Sequence, residues 1–260
     1  YPYMNVSPTL RKLPYYNSVK KVAKNPRTAI SYLRWLRYNY RLNNIDFEKE
    51  EIERPSRLAY LLNTKEKSIR KYISEIRNDE QFQSKFNKRM ATLESAGEGE
   101  GTSMTFDCET FYAIVRELKP DHVVQTGVLY GAFDAYILRA LDKNAKGEHH
   151  SIDLPEQPSE FEHGYLIPEN DRSRWDLHLG KSEDVLPKVL KKLEPIDVFI
   201  HDSLHTKQHM AWEYKIAQKH LRDGGVLASH DIIKNSAFKN HTEGRDLTWK
   251  RVGGSGVAVK

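Results

Sequence analysis

Cysteine is almost missing: Cys108 is the only one in 260 residues. A single thiol excludes an internal disulfide framework and a cysteine-based zinc cluster, and it fits a reducing, cytoplasmic setting. Long apolar runs are missing too. No stretch approaches the roughly 20 apolar residues that a bilayer-spanning helix needs, so no membrane span is expected. No signal-peptide pattern is visible, and the first residue is Tyr1 rather than Met, which leaves a removed tag or leader open. The complete G-x-G-x-x-G fingerprint of dinucleotide sites is also lacking.

What is present is a polar but foldable chain, 38% hydrophobic and 30% charged, whose apolar residues cluster into runs. Its length suits one large domain, or a domain with an extension. The charge is uneven. Residues 1–95 hold 20 Lys and Arg against 10 Asp and Glu, whereas residues 96–260 hold 21 against 26. A basic stretch can meet nucleic acid, anionic lipid or an acidic partner. Here the cations are interleaved with Glu rather than massed, which suits a solvated helical cap.

Residues 1–28, with Pro2, Pro8, Pro14 and Pro26, read as an irregular arm. "AISYLRWLRYNYRL" (29–42) has helical periodicity, and residues 54–79 predict two short helices split near Asn63, with Thr64 as N-cap of the second. "SAGEGEGTS" (95–103) is the best linker, so residues 1–95 are expected to form a basic helical extension and 96–260 the main domain. Beyond the linker, strand and helix patterns alternate. Strands are expected at 122–127, 148–154, 175–180, 196–202 and 224–231, with helices at 108–120, 132–144, 182–193 and 206–221 between them. "LTWKRVGG" and "SGVAVK" close the chain as a hairpin. The expected fold class is α/β: a Rossmann-like, doubly wound, mostly parallel sheet with a C-terminal antiparallel hairpin, plus the N-terminal helical extension.

Two features of this pattern carry chemistry. "VVQTGVLYG" places Gly127 and Gly131 on a strand-to-helix turn, where backbone can approach a ligand at a helix N-terminus. The next strand ends in Asp153, a position from which a carboxylate can accept both hydroxyls of a ribose. Leu129 stands where a pyrophosphate site needs its second glycine, which favours a nucleoside cofactor without phosphate. The second feature is "IDVFIHDSLHT": a buried strand that ends abruptly in His201, Asp202, Ser203 and His205. Open α/β sheets bind ligands at such carboxyl ends.

Residues 103–260 resemble class I S-adenosylmethionine-dependent methyltransferases, in particular the small-molecule O-methyltransferases of the catechol and macrolide-sugar type. The resemblance rests on "VVQTGVLYG", "SIDL", "LGKSEDVLP", "DVFIHDSLHT" and "LRDGGVLASHDI", in that order. It implies S-adenosylmethionine as cofactor. Gln125, Thr126, Gly127 and Gly131 would surround its methionine part, Asp153 would bind the ribose, and Ser182 would meet the adenine edge. Met104 and Asp202 would complete the pocket. Gln125 replaces the family's usual acid, which removes one anchor for the cofactor's ammonium and calls for a substitute carboxylate. Asp202, His230 and Asp231 align with the divalent-metal ligands of metal-dependent relatives. Magnesium prefers oxygen ligands, so a histidine at 230 tilts that site from Mg towards Mn, Fe or Zn. His205, expected at the start of the next helix and facing the cleft, is the candidate general base, with Asp202 beside it. His201 should point to the opposite face of its strand.

The reading is therefore O-methylation of a small-molecule or sugar hydroxyl, with or without a metal, by a protein that is cytoplasmic and open to homo-oligomerisation. Two rivals stay open. One is an RNA methyltransferase that holds nucleic acid on the basic N-terminal region, although no NPPY-like base-methylating motif is present. The other is a non-catalytic cofactor-binding protein.

Overall fold

The computed structural model describes residues 40, 44–98, 105–156, 159–243, 245 and 247–260. The expected arm at 1–28 and the core of the expected helix at 29–42 lie outside these residues, as does Met104. The chain divides into two compact units, Tyr1–Asn44 and Ile45–Lys260. The second carries every element below, and the expected boundary at 95/96 falls inside it.

Its centre is a seven-stranded sheet in the order β3-β2-β1-β4-β5-β7-β6. The strands are β1 (His122–Thr126), β2 (Glu148–Asp153), β3 (Trp175–Leu179), β4 (Ile196–His201), β5 (Leu221–Ser229), β6 (Thr248–Val252) and β7 (Ser255–Val259). The first five pair in parallel, and β7 and β6 add antiparallel at one edge. β4 is buried along its whole length, which is why it reads as an unbroken apolar run before His201. Among the described residues no helix is long and apolar enough to cross a membrane.

Helices α1 (Phe47–Leu61), α2 (Glu66–Arg77) and α3 (Glu80–Ser95) precede the sheet, and α4 (Thr105–Leu118) and α5 (Ala132–Asn144) flank β1. The later helices are α6 (Ser182–Leu193), α7 (Lys207–His220) and the short α8 (Ala237–Thr242). Several expectations for the helical region are corrected. Residues 54–61 belong to one longer helix, α1, which Asp46 caps by accepting from the Lys49 amide and which carries Pro55 in its interior. Thr64 does not cap α2: its hydroxyl donates to Glu117 at 2.5 Å, and the capping position falls to Lys65, which makes no side-chain bond. α3 had no sequence signal strong enough to name it. Its apolar residues Phe82, Phe86 and Leu93 are few, and they are buried because α5 offers Tyr136 as a partner, with ring centroids 4.9 and 5.3 Å from the two phenylalanines.

These helices share the main core. Ile69, Ile73 and Ile76 form the buried stripe of α2, which packs on α4. Arg54 of α1 is fully buried, donating to the Phe106 carbonyl at 2.9 Å and to Glu109 at 3.0 Å. Glu50, also buried, accepts from the Gly253 amide at 2.9 Å and from Arg251 at 3.0 Å, which fixes α1 to the β6–β7 hairpin.

Candidate active site at the carboxyl ends of β1, β2, β4 and β5

Strand ends are knitted together by backbone bonds that leave side chains free at the edge. The Asp202 amide donates to the Thr126 carbonyl at 2.8 Å, and the His230 amide donates to the His201 carbonyl at 2.9 Å. Gly127 has a φ of +85°, and a Cβ there would lie 2.2 Å from the Asp202 carbonyl oxygen. Only glycine allows the β1 turn to lie this close to the β4 tip. Gly131, at φ +78°, caps α5 and would place a Cβ 2.7 Å from the Gly164 α-carbon. Between them Leu129 adopts φ 49°, a strained conformation for a leucine.

Asp153 holds this turn. Its Oδ2 accepts from the amides of Val128 and Leu129, both at 2.9 Å, and its Oδ1 accepts from the Leu154 amide at 2.7 Å. A carboxylate has about four acceptor sites, so it retains capacity for a ligand's hydroxyls. The segment after β2 lies across the turn: the Gly164 and Leu166 amides donate to the Leu129 and Tyr130 carbonyls at 3.1 and 2.8 Å.

Strand alternation sends Gln125 and Thr126 to opposite faces of the sheet, and both are buried. Gln125 donates to the Gly127 carbonyl at 2.7 Å and to Asp134 at 3.1 Å, while its Oε1 has no partner. Asp134 is itself fully buried, 3.0 Å from His149 Nε2 and accepting from Ser151. It is a buried carboxylate in direct hydrogen-bond contact with Gln125. Thr126 donates to Glu213 of α7 at 2.6 Å. Ser182 opens α6, with its hydroxyl 3.2 Å from His209 Nε2.

Glu213 is the residue that sequence reasoning missed. It is fully buried, and one oxygen lies 2.6 Å from His201 Nδ1 while the other lies 2.9 Å from His209 Nε2 and accepts from Ser203 at 3.0 Å. The signal was available: Met210, Glu213, Tyr214 and Ala217 share the i, i+3, i+4, i+7 buried stripe of α7, and only Glu213 among them is charged. Burial opposes its ionisation, yet the bonds from His201, His209 and Thr126 hold its pKa below the usual carboxylate range.

Above this layer Asp202, His205, His230 and Asp231 converge. His201 turns away into the core, as alternation requires. His205 sits in the loop before α7 and not on the helix, because Thr206 takes the N-cap by accepting from the His209 amide. His205 Nε2 is 3.5 Å from Asp231 Oδ2 and 3.7 Å from Asp202 Oδ1. Burial, reinforced by the neighbouring Lys234 ammonium, pushes its pKa down to about 3, so it is neutral at physiological pH. His230 Nδ1 is 2.9 Å from Asp202 Oδ1. Burial disfavours its cation, but Asp202, Asp231 and Asp107 together raise its pKa to about 10. Burial in turn raises the pKa of Asp202 against the pull of His230. Asp231 leaves β5 at φ 56° and lies 2.5 Å from Lys234 Nζ. Donor atoms of Asp202, His205 and His230 lie within 4.8 Å of one another, so His205 enters the potential ligand set beside two of the three expected metal residues. Asp231 lies next to that set and is engaged with Lys234.

Residues 124–232 match the family model described as a methyltransferase domain. An O-methyltransferase from Bacillus cereus in complex with SAH has a similar structure, with TM-score 0.52 and 15% identity over 68% of this chain and 91% of that one. A methyltransferase from Geobacter sulfurreducens gives 0.53 and 16% over 68% and 88%. An O-methyltransferase from Streptomyces achromogenes involved in tomaymycin synthesis, in complex with SAM, gives 0.50 and 16% over 70% and 94%. No curated protein matches the chain. The likeness to these structures, with this chain's mostly parallel sheet and antiparallel edge, makes the fold a Rossmann-like methyltransferase fold. The match to the methyltransferase-domain model spans the β1–β5 region, where the sequence motifs that resemble S-adenosylmethionine-dependent methyltransferases also lie.

Proposed function

We propose that the protein transfers a methyl group to a hydroxyl of a small-molecule or sugar acceptor, with His205 as general base. The observation that supports this most is the position of His205 Nε2 between Asp202 and Asp231, at a β4 tip that touches the cofactor turn through Gly127.

S-adenosylmethionine, when bound, supplies an electrophilic methyl group. The residues present fit it. Gly127 and Gly131 clear the turn of side chains, Asp153 keeps acceptor sites for ribose hydroxyls, and Gln125 Oε1 is a buried acceptor with no protein donor. His205, neutral because burial disfavours its cation, is able to receive the hydroxyl proton at Nε2. Asp202 and Asp231 then stabilise the imidazolium. The His230 cation and Lys234 favour an oxygen that gains negative charge as it loses its proton. A divalent ion would be held by Asp202, His205 and His230 and would lower the hydroxyl's pKa, but His230 must first lose the proton that Asp202 stabilises. Residues 45–95, the described part of the expected extension, serve in this reading as a cap and not as an independent module.

The test is a screen of hydroxyl acceptors with isotope-labelled S-adenosylmethionine, run with and without chelator. Transfer is expected to survive chelation, and His205→Ala should lower kcat about a hundredfold or more. Loss of turnover on chelation, with cofactor still bound, would replace the histidine-base mechanism by metal activation. Turnover within a few fold of wild type in His205→Ala and Asp231→Asn would remove the active-site assignment.

A further inference from the structure

A second histidine cluster lies on the other side of β1 from the active site. Strand alternation puts His122 of β1, Glu148 and His150 of β2, and Asp176 and His178 of β3 on one face of the sheet. This is the face that Val124 and Ile152 present to α6, where Leu186, Val189 and Leu190 pack. Imidazoles are out of place on such a face unless something satisfies them. His150 is only 3% exposed, and neither of its ring nitrogens has a hydrogen-bond partner. His178 Nε2 and His122 Nδ1 are likewise buried and make no hydrogen bond. The carboxylates beside His150 and His178 lie 3.3–3.6 Å away without making a hydrogen bond, so the desolvation of these nitrogens is only partly offset.

We infer that His150, Asp176 and His178 form a binding site for a divalent transition-metal ion of the zinc class. Asp176 Oδ2 is 3.4 Å from His150 Nδ1 and 3.3 Å from His178 Nε2. Bonds of about 2.0–2.1 Å arranged tetrahedrally around zinc separate neighbouring donors by roughly 3.3–3.4 Å. The three donor atoms all lie within 4.8 Å of one another, so a small rotation of the exposed Asp176 and the half-buried His178 side chains closes the set. Two imidazoles and a carboxylate are a zinc donor set, and water can take the fourth position on the solvent side of the edge strand. The other nitrogen of His150 is 3.6 Å from Glu148 Oε2, which suits a carboxylate that orients a metal-bound histidine. Burial holds the His150 pKa down at about 4, so at neutral pH the imidazole is neutral and one ring nitrogen offers its lone pair while the other keeps its N–H. His122, Glu148 and His150 form a second close group, but its approach is to the opposite nitrogen of His150. We assign the ion to the Asp176 side because both separations there match a coordination edge. The bound ion would clamp the edge strand β3 to β2.

The experiment uses the full chain, stripped of metal and titrated with Co2+ and then Zn2+, because four-coordinate Co2+ absorbs visibly. Wild type should show these bands, and Zn2+ should displace them. His178→Ala and Asp176→Asn, both on the edge strand, should abolish the bands and weaken Zn2+ by at least about a hundredfold, with unchanged far-UV circular dichroism. Glu148→Gln should weaken Zn2+ by about tenfold. His122→Ala and Asp202→Asn should leave the bands in place. Absence of bands in wild type overturns the assignment, as does their survival in His178→Ala and Asp176→Asn. Their loss in Asp202→Asn would move the ion to the active site, and their loss in His122→Ala would move it to the other nitrogen of His150.

Discussion

Glu213 shows how a single side chain organises the chemistry around it. Its two oxygens hold Thr126, His201, Ser203 and His209, so it ties the β1 end, the β4 tip and the next loop together from below. Replacing one of its oxygens by an NH2 group should leave the donors on that side without an acceptor and remove the charge that the rest share. Glu213→Gln is expected to cost about 3–5 kcal/mol in urea denaturation, the range for breaking a buried ionic group. The pH dependence has two sides. The bond from Glu213 raises the His209 pKa against burial, so its contribution is complete below the unfolded histidine value of about 6.5 and fades as pH rises through the elevated value. Burial opposes the ionisation of Glu213, but its histidine and threonine partners lower its pKa, so its contribution is complete above about pH 4.5 and fades in acid. Stability measured against pH should therefore decline on both sides, and Glu213→Gln should flatten both declines. A wild-type profile with no alkaline decline would show that His209 is not stabilised as a cation.

Among the elements, α3 decides how far the fold extends. It buries Phe82 and Phe86 against Tyr136 of α5, and Arg139 of α5 reaches back to Asp79 at its N-terminus at 2.8 Å. Phe82→Ala should therefore lower stability by about 3–5 kcal/mol, the cost of removing a buried aromatic ring. Denaturation followed by far-UV circular dichroism and by tryptophan fluorescence should give coincident, shifted transitions. A change of a few tenths of a kcal/mol would mean that α3 is only loosely attached. The sequence showed α5 and α6 to the residue, since each has dense apolar periodicity and a clear start. α3 was not legible, because its sparse apolar positions become a face only when Tyr136 is placed opposite them.

For the molecule as a whole, the boundary between extension and catalytic domain bears on how it folds. α1 sends Arg54 to Phe106 and Glu109, and Glu50 to Gly253 and Arg251. A fragment comprising residues 96–260 loses these partners and exposes the α4 surface that α2 covers, so it should be poorly soluble and inactive. A fragment beginning at Ile45 should melt as one cooperative unit, as scanning calorimetry can check. A monomeric, fully active 96–260 fragment would end the cap proposal.

The sequence by itself determined the alternation of strands and helices, the glycine turn, the acid at the tip of β2 and the polar end of β4. These are local patterns, written by side-chain periodicity and by the backbone demands of a tight turn. Only the tertiary structure decided that Thr126 and Gln125 are buried on opposite faces of the sheet, that His205 stands between two carboxylates, and that Glu213 holds Thr126, His201, Ser203 and His209 together. It also brought His150, Asp176 and His178 together across two strands. Such placements depend on register and on which residues face each other across the sheet, and a single chain read in order carries no record of its neighbours in space.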